Sequence, residues 1–271
     1  REYNMKNKIA IITLHSVKNY GSVLQAYATQ CYFKNLGFDA IIIDFRRPWE
    51  TKSGYWFYLT DKSIKGVARN ILYFPSKIIQ YVKFSKFKNK YLKTTKSTYV
   101  CQKDFKYNPV VADVFCSGSD QVGNSGWNCG VIPEYFLNFV PKEAKKISFA
   151  SSFGNSEINE KDKKIIKTLL LDYNLITVRE EPSVKMLRDE LGMDSYEILD
   201  PTLQMNGDFW RKLCSPEKKI KSKYVLLIQL NRNHEFDKYA KSFCKQKKMK
   251  LVRLCLRVDQ IILPGKSIVI P

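Results

Sequence analysis

Residues 8–45 read KIAIITLHSVKNYGSVLQAYATQCYFKNLGFDAIIIDF. Lys8 to Leu14 is a compact apolar run rich in β-branched side chains. Such a run, without polar alternation, predicts a strand buried on both faces. His15 to Tyr20 is polar and predicts a loop. From Gly21 the apolar spacing becomes helical, with Val23, Leu24, Tyr27, Ala28, Cys31 and Leu36 on one broad face. Gly37 is placed to stop the helix, because glycine tolerates the left-handed backbone of a C-terminal cap. Phe38 to Phe45 predicts a second buried strand. Together these form a βαβ unit, with a right-handed crossover expected.

The same alternation extends outward. Val110–Cys116 predicts a strand running into Ser117-Gly118-Ser119-Asp120. Lys146–Ala150, Leu175–Val178 and Tyr196–Leu199 predict further strands. Glu157–Leu171 and Pro182–Leu191 predict helices, the second stopped by Gly192. Asp200-Pro201-Thr202 reads as a turn and Asp208–Leu213 as a short helix. Strands alternating with helices imply an α/β fold with mainly parallel sheets. Cys214–Lys223 is polar and lysine-rich, after which the pattern restarts at Tyr224–Leu230, Glu235–Lys247 and Lys250–Leu256. The expected organisation is a Rossmann-like doubly wound domain over 5–214, a linker over 215–223, and a second Rossmann-like domain over 224–271. The second is expected to be truncated, being shorter than the roughly 100 residues such a domain takes.

The chain has 271 residues and a net charge of +20. That excess points to an anionic partner: nucleic acid, a phosphate-bearing small molecule, an acidic glycan or anionic lipid. The charge is concentrated, however. Residues 62–103 carry eleven Lys and Arg and no Asp or Glu, which weakens a general nucleic-acid reading. Between Ile64 and Leu92 apolar residues at helical spacing interleave with lysines and with Tyr81, Phe84, Phe87 and Tyr91. This predicts a basic helical insertion that lies on anionic lipid or cradles a polyanion; a solvated helix face is the plainer reading.

A hydrophobic content of 44% excludes global disorder. The seven cysteines are odd in number, widely spaced and free of C-x-x-C pairs. They predict reduced, buried thiols and a cytosolic setting, with neither a disulfide framework nor a zinc site. With His15 and His234 the only histidines, no metal site is expected. No apolar run reaches bilayer length and no signal-peptide pattern occurs. The expected location is cytoplasmic, peripheral at the inner face of the membrane.

Three loops follow predicted strands, where open α/β sheets bind ligands. In the first, Gly21 opens a helix whose free N–H groups favour an anion, and Asn19 and Gln25 can hydrogen-bond sugar hydroxyls or phosphate. A plain helix cap is the alternative. In the second, Asp120 is a candidate general base flanked by Ser119 and Gln121; an Asx turn is its alternative. In the third, Arg179 presents a fork suited to carboxylate or phosphate, or else pairs with Glu180 or Glu181. Phosphate-binding, dinucleotide and nucleophile-elbow motifs are missing from the sequence.

Taken together, the stretches form an ordered set. His15, Asn19-Tyr20-Gly21 and Val23 to Ala28 come first. Gly118 to Val122, Tyr135-Phe136-Leu137 and Ile147 to Gly154 follow, then Val178-Arg179-Glu180 and Asp200 to Leu203. This order resembles the polysaccharide pyruvyl transferase family, over about Lys8 to Leu230. The resemblance implies a two-domain GT-B-like fold. It also implies transfer of pyruvate from phosphoenolpyruvate to two sugar hydroxyls of a surface-glycan precursor, forming a ketal. The implied partners are this small-molecule donor and a glycan or lipid-linked glycan acceptor, with no nucleic acid and no cofactor beyond the donor. Arg179 is then the candidate for the donor anion and, with Asp120, the catalytic pair. Asn19, Tyr20, Gly21, Gln25, Ser119 and Gln121 are candidates for lining the cleft. Gly123 stands where the family usually has Trp. The family's late Ser-Phe-His motif does not occur, so the resemblance places a catalytic histidine beyond residue 271 and the chain alone is expected to be inactive. The alternatives are a nucleotide-sugar-dependent GT-B glycosyltransferase and a non-enzymatic module that binds anionic lipid or nucleic acid through 62–103.

Overall fold

A computed structural model describes residues 7–57, 63–154, 158–214, 220–231, 233–254 and 268–270. It opens with β1 (Lys8–Ile12), α1 (Tyr20–Asn35) and β2 (Asp39–Phe45). Ile9 and Ile11 pack into one apolar cluster with Ala26, Phe33 and Ile42, while Ala10 and Ile12 join the other with Phe115, Leu137 and Leu187. This period-two split explains the unbroken apolar run: both faces of β1 are covered, and each large side chain so buried contributes about 1.5–3 kcal/mol. Asn19 caps α1, its side chain accepting from the Ser22 amide at 3.3 Å. Gly37, just past the helix end, has φ +93°.

The chain continues through α2 (Lys52–Phe57), α3 (Ile64–Leu72), α4 (Phe74–Tyr91), β3 (Thr94–Tyr99), α5 (Gln102–Tyr107), β4 (Val114–Ser117) and β5 (Lys145–Ser148). Next come α6 (Glu160–Leu170), β6 (Thr177–Val178), α7 (Glu181–Leu191), β7 (Tyr196–Glu197), α8 (Pro201–Gln204) and α9 (Gly207–Arg211). Strands β1 to β5 form one parallel sheet in the order β3-β2-β1-β4-β5. Bridges from Ile147 to Leu175 and from Ser151 to Val178 carry it on to the parallel β6–β7 pair. The strand order therefore reverses between β1 and β4, which is the switch point where ligands bind in such sheets. A second parallel unit follows: β8 (Tyr224–Ile228), α10 (His234–Gln246), β9 (Lys250–Leu254) and β10 (Ile268–Ile270), in the order β10-β9-β8. The fold is α/β, with two parallel strand–helix units in succession.

Two expectations need correction. The segment 62–103 is not helical throughout: α4 ends at Tyr91 and Thr94–Tyr99 form β3 at the sheet edge before α5 begins at Gln102. This strand is polar because it pairs on one side only, and its register against β2 shifts between Ile42 and Asp44. The buried Gln30 side chain ties β2 to the residue before β3, ahead of that shift. Its amide donates to Ala40 O at 3.1 Å and Lys93 O at 2.8 Å, and its Oε1 accepts from the Lys93 amide at 3.0 Å. The cysteines are also not uniformly buried. Cys116 and Cys244 are, whereas Cys101, Cys129 and Cys214 are exposed, lying outside the apolar strands and helix faces. Cys255 and most of the expected linker, 215–219, lie outside the described residues.

Candidate functional site

The carboxyl ends of β4, β5 and β6 are knitted together beyond the strands themselves. Asp120 bridges to Ser151, and Ser151 to Val178. The Ser152 amide donates to Asp120 O at 2.9 Å and the Arg179 amide to Ser151 O at 3.1 Å. Two non-glycine residues here have left-handed backbone, Asp120 at φ +80° and Ala150 at φ +51°. Strain of this kind costs about 1–3 kcal/mol per residue and gathers at functional sites. Gly118 permits the close approach of β4 to β1, since a Cβ there would lie 3.0 Å from Thr13 Cβ.

On this scaffold Asp200, the N-cap of α8, gathers the predicted side chains. Its Oδ2 accepts from Arg179 Nη1 at 3.2 Å and from Ser119 Oγ at 3.3 Å. Its Oδ1 accepts from the Thr202 amide at 2.9 Å and from Thr202 Oγ1 at 2.6 Å. Arg179 Nε donates to Glu180 Oε1 at 2.6 Å, and Ser152 Oγ donates to the same oxygen at 2.8 Å. Burial opposes the Arg179 charge, but the Glu180 hydrogen bond and the charges of Glu180, Asp120 and Asp200 hold its pKa above the ordinary value. Among the described residues Nη2 of Arg179 has no protein partner. Asp120 Oδ1 accepts from the Gln121 amide at 2.8 Å, while Asp120 Oδ2 and Glu180 Oε2 are buried without a partner. Buried polar atoms left open mark a place that a ligand or water completes.

The other predicted residues fall in different places. Gln25 is buried; its amide donates to Thr13 Oγ1 and to Ser22 O, both at 2.9 Å, and Thr13 Oγ1 donates to Ser119 O at 2.6 Å. It therefore couples α1 to the Ser119 loop from beneath. Gln121 accepts from Asn124 Nδ2 at 2.9 Å. Asn19 serves as the α1 cap, Gly21 lies in the first turn with Asn19 Oδ1 beside it, and Tyr20 packs against Phe84 of α4 at 5.3 Å. These three lie on the β1 side of the switch point, apart from the Asp200 cluster.

The family model described as polysaccharide pyruvyl transferase matches residues 19–271. The chain belongs to this family. No curated protein matches it. Among solved structures it is similar to UDP-N-acetylglucosamine 2-epimerase from Rickettsia bellii, at 11% identity and a TM-score of 0.47, over 99% of this chain and 69% of that one.

In this pyruvyl transferase family member the position after Asp-Gln-Val is glycine for a visible reason. A Cβ on Gly123 would lie 2.8 Å from the Phe153 ring, so the Phe153 side chain occupies the space a tryptophan would need. Sequence reasoning read Asp200 only as a turn and missed a second network altogether. His15 Nε2 lies 2.7 Å from Asp44 Oδ1, at the end of β2, and Nδ1 lies 3.2 Å from Thr13 O. Arg46 reaches both Asp44 oxygens, at 2.9 and 2.6 Å, and Thr98 Oγ1 donates at 2.8 Å. Burial alone would raise the Asp44 pKa. Hydrogen bonds from His15 and Arg46, with the charges of His15 and Lys88, hold it well below the usual carboxylate range. The signal was a carboxylate ending a fully apolar strand, IIIDF. Among the described residues no group of three or more His, Cys, Asp and Glu is placed to hold a metal ion. No helix among them is long and apolar enough to cross a membrane.

Proposed function

We propose that this protein transfers pyruvate from phosphoenolpyruvate to two hydroxyls of a sugar on a surface-glycan precursor, forming a ketal and releasing phosphate. The family match over residues 19–271 carries this reading, and the unpartnered Asp120 Oδ2 and Glu180 Oε2 beside Arg179 support it. The chemistry requires protonation of the donor methylene, attack by one hydroxyl at C2, departure of phosphate, and attack by the second hydroxyl. One hydroxyl proton balances the methylene proton and the other leaves with phosphate. Arg179, held by Asp200 and Glu180, offers its remaining N–H edge to the donor carboxylate or phosphate. Asp120, with one oxygen fixed by the Gln121 amide and one open, is suited to accept the proton of an attacking hydroxyl. Asn19, Tyr20, Gly21, Gln25, Ser119 and Gln121 shape or support the cleft edge, and no cofactor is required.

The setting proposed is cytoplasmic, with peripheral contact at an anionic membrane. Ile64, Ile71, Leu72 and Phe74 stand exposed on α3 and α4 within the acid-free basic segment. The test is incubation with phosphoenolpyruvate and a panel of sugar acceptors, following phosphate release and product mass. Acceptor-dependent release with a mass gain of one pyruvate unit is expected. Binding of a nucleoside diphosphate without binding of phosphoenolpyruvate would replace this reading with glycosyl transfer.

A further inference from the structure

Helices α3 and α4 leave one side of the fold apolar and basic at once. A single residue, Tyr73, separates them, and Ser63 caps α3 by accepting from the Gly66 amide at 3.1 Å. The inner side of α4 is packed. Phe84 is buried against Tyr20 of α1 at 5.3 Å, Phe87 and Tyr91 meet Tyr27 at 6.1 and 5.6 Å, and the Tyr55 hydroxyl of α2 donates to Lys77 O at 3.0 Å. The same side walls a cavity of about 430 Å³ at the carboxyl ends of β1 and β2, where Lys18 sits over the rings of Tyr55 and Tyr81 at 5.5 and 5.2 Å. The outer side differs. Ile64, Val67 and Ile71 recur at i, i+3 and i+7 on α3, and Phe74, Ile78 and Val82 at i, i+4 and i+8 on α4. Such stripes ordinarily face a core, yet all six side chains are exposed, Ile64 at 89% and Ile71 at 70%. Along α4 the outer side then changes character. Ile79 heads a stripe continued by the exposed Lys83, Lys86 and Lys90, at i, i+4, i+7 and i+11. No Asp or Glu occurs from 62 to 103, so these charges have no counter-charge within their own segment.

We propose that α3 and the first half of α4 insert their outer apolar stripes into an anionic bilayer, while Lys83, Lys86 and Lys90 lie along its headgroups. An interfacial helix sinks about 5–10 Å, which the aliphatic side chains of α3 and the first turns of α4 supply, and the lysines that follow match the negative surface. A second copy of the chain is a poorer occupant, because a two-fold interface sets a surface against itself and would bring the eleven cations of 62–103 opposite their own kind. A nucleic acid is poorer too, because aliphatic side chains with no hydrogen bond to give hold the middle of the patch. The proposal deepens, and rests on, the membrane setting given above; it does not need the pyruvyl-transfer chemistry. The cavity and the docking face share α4, which is 18 residues and so about 27 Å long. A sugar carried on a lipid of the same membrane therefore comes within reach of the cavity, and the assignment of such a sugar as the acceptor rests on the pyruvyl-transfer reading.

The experiment is co-sedimentation of the full chain with vesicles of mixed phosphatidylglycerol and phosphatidylcholine, and with vesicles of phosphatidylcholine alone. The mixed vesicles are expected to bind at least about tenfold tighter, and raised salt to weaken that binding. Ile71→Glu should weaken it at least about tenfold by setting a charge in the inserted stripe, and Lys86→Gln with Lys90→Gln about tenfold by removing headgroup contacts. In an Ile71→Trp variant the added emission should be quenched by lipids brominated on their acyl chains, which reports insertion rather than surface adhesion. Position 71 is exposed, so Ile71→Glu should melt at the wild-type temperature; should it not fold, the lysine pair and the quenching decide. Vesicle binding that survives both sets of changes would overturn this docking face and leave the membrane setting standing. No binding to either vesicle would overturn both. A dimer in solution that Ile71→Glu dissociates, or binding of RNA in place of vesicles, would give the face to another occupant and overturn the proposal. Ketal formation on a soluble acceptor is read separately, so its failure with vesicle binding intact would sink the pyruvyl-transfer reading alone.

Discussion

Replacing Lys18 with methionine is expected to stabilise the fold at neutral pH. The pKa of the Lys18 amine is lowered from its ordinary value of 10.5 to about 8. A folded-state pKa below the unfolded value means that the unfolded chain binds the proton more tightly, so folding bears a penalty wherever the amine is charged in the unfolded state. At about 1.36 kcal/mol per pKa unit the penalty is about 3 kcal/mol at pH 7. It shrinks as pH rises through 8 and is about 1.4 kcal/mol at pH 9.5. Methionine removes the penalty and fills much of the same volume, but it forfeits two cation–π contacts of about 0.5–1 kcal/mol each. The net expectation is a gain of about 1–2 kcal/mol at pH 7, with the gap between variant and wild type narrowing by about 2 kcal/mol by pH 9.5. Urea denaturation of both proteins at the two pH values measures this. A variant that is less stable at pH 7, or a gap that does not change with pH, would show that Lys18 is not an uncompensated buried cation.

Asp120→Asn keeps the turn but removes the base, so turnover should drop by about 100-fold or more with little change in thermal stability; an unchanged rate of phosphate release would discard Asp120 as the base. Gly123→Ala sets a methyl group 2.8 Å from the Phe153 ring and should cost about 1–3 kcal/mol in urea melts, with Phe153→Leu relieving part of the loss in the double variant. Gln30→Ala strips the three hydrogen bonds by which α1 holds Ala40 of β2 and Lys93, just before β3. It should cost about 1–3 kcal/mol and raise hydrogen exchange locally across residues 93–99; a purely global change in exchange would contradict its role in pinning the edge strand.

The contrast between residues 8–45 and residues 62–103 shows what each level of description decides. In the first stretch the sequence alone determined the βαβ unit, because a run covered on both faces must be apolar and a helix end needs a residue such as Gly37 that tolerates positive φ. The loops at strand ends, and with them Ser119, Asp120 and Arg179, followed from the same local patterns. In the second stretch local pattern was insufficient. Thr94–Tyr99 is a strand because β2 offers an open edge and Gln30, more than sixty residues away, bonds both backbone groups of Lys93. Asp200 is the centre of the cluster, rather than a turn residue, because the β6–β7 pair brings its carboxylate under Arg179 and Ser119. The charge of Lys18 became significant only once burial and the approach of Lys88 and Arg46 were known. Secondary structure depends on spacings of two to four residues, which the sequence displays directly. Burial, ion pairing and proton affinity depend on neighbours that only folding brings within a few ångströms.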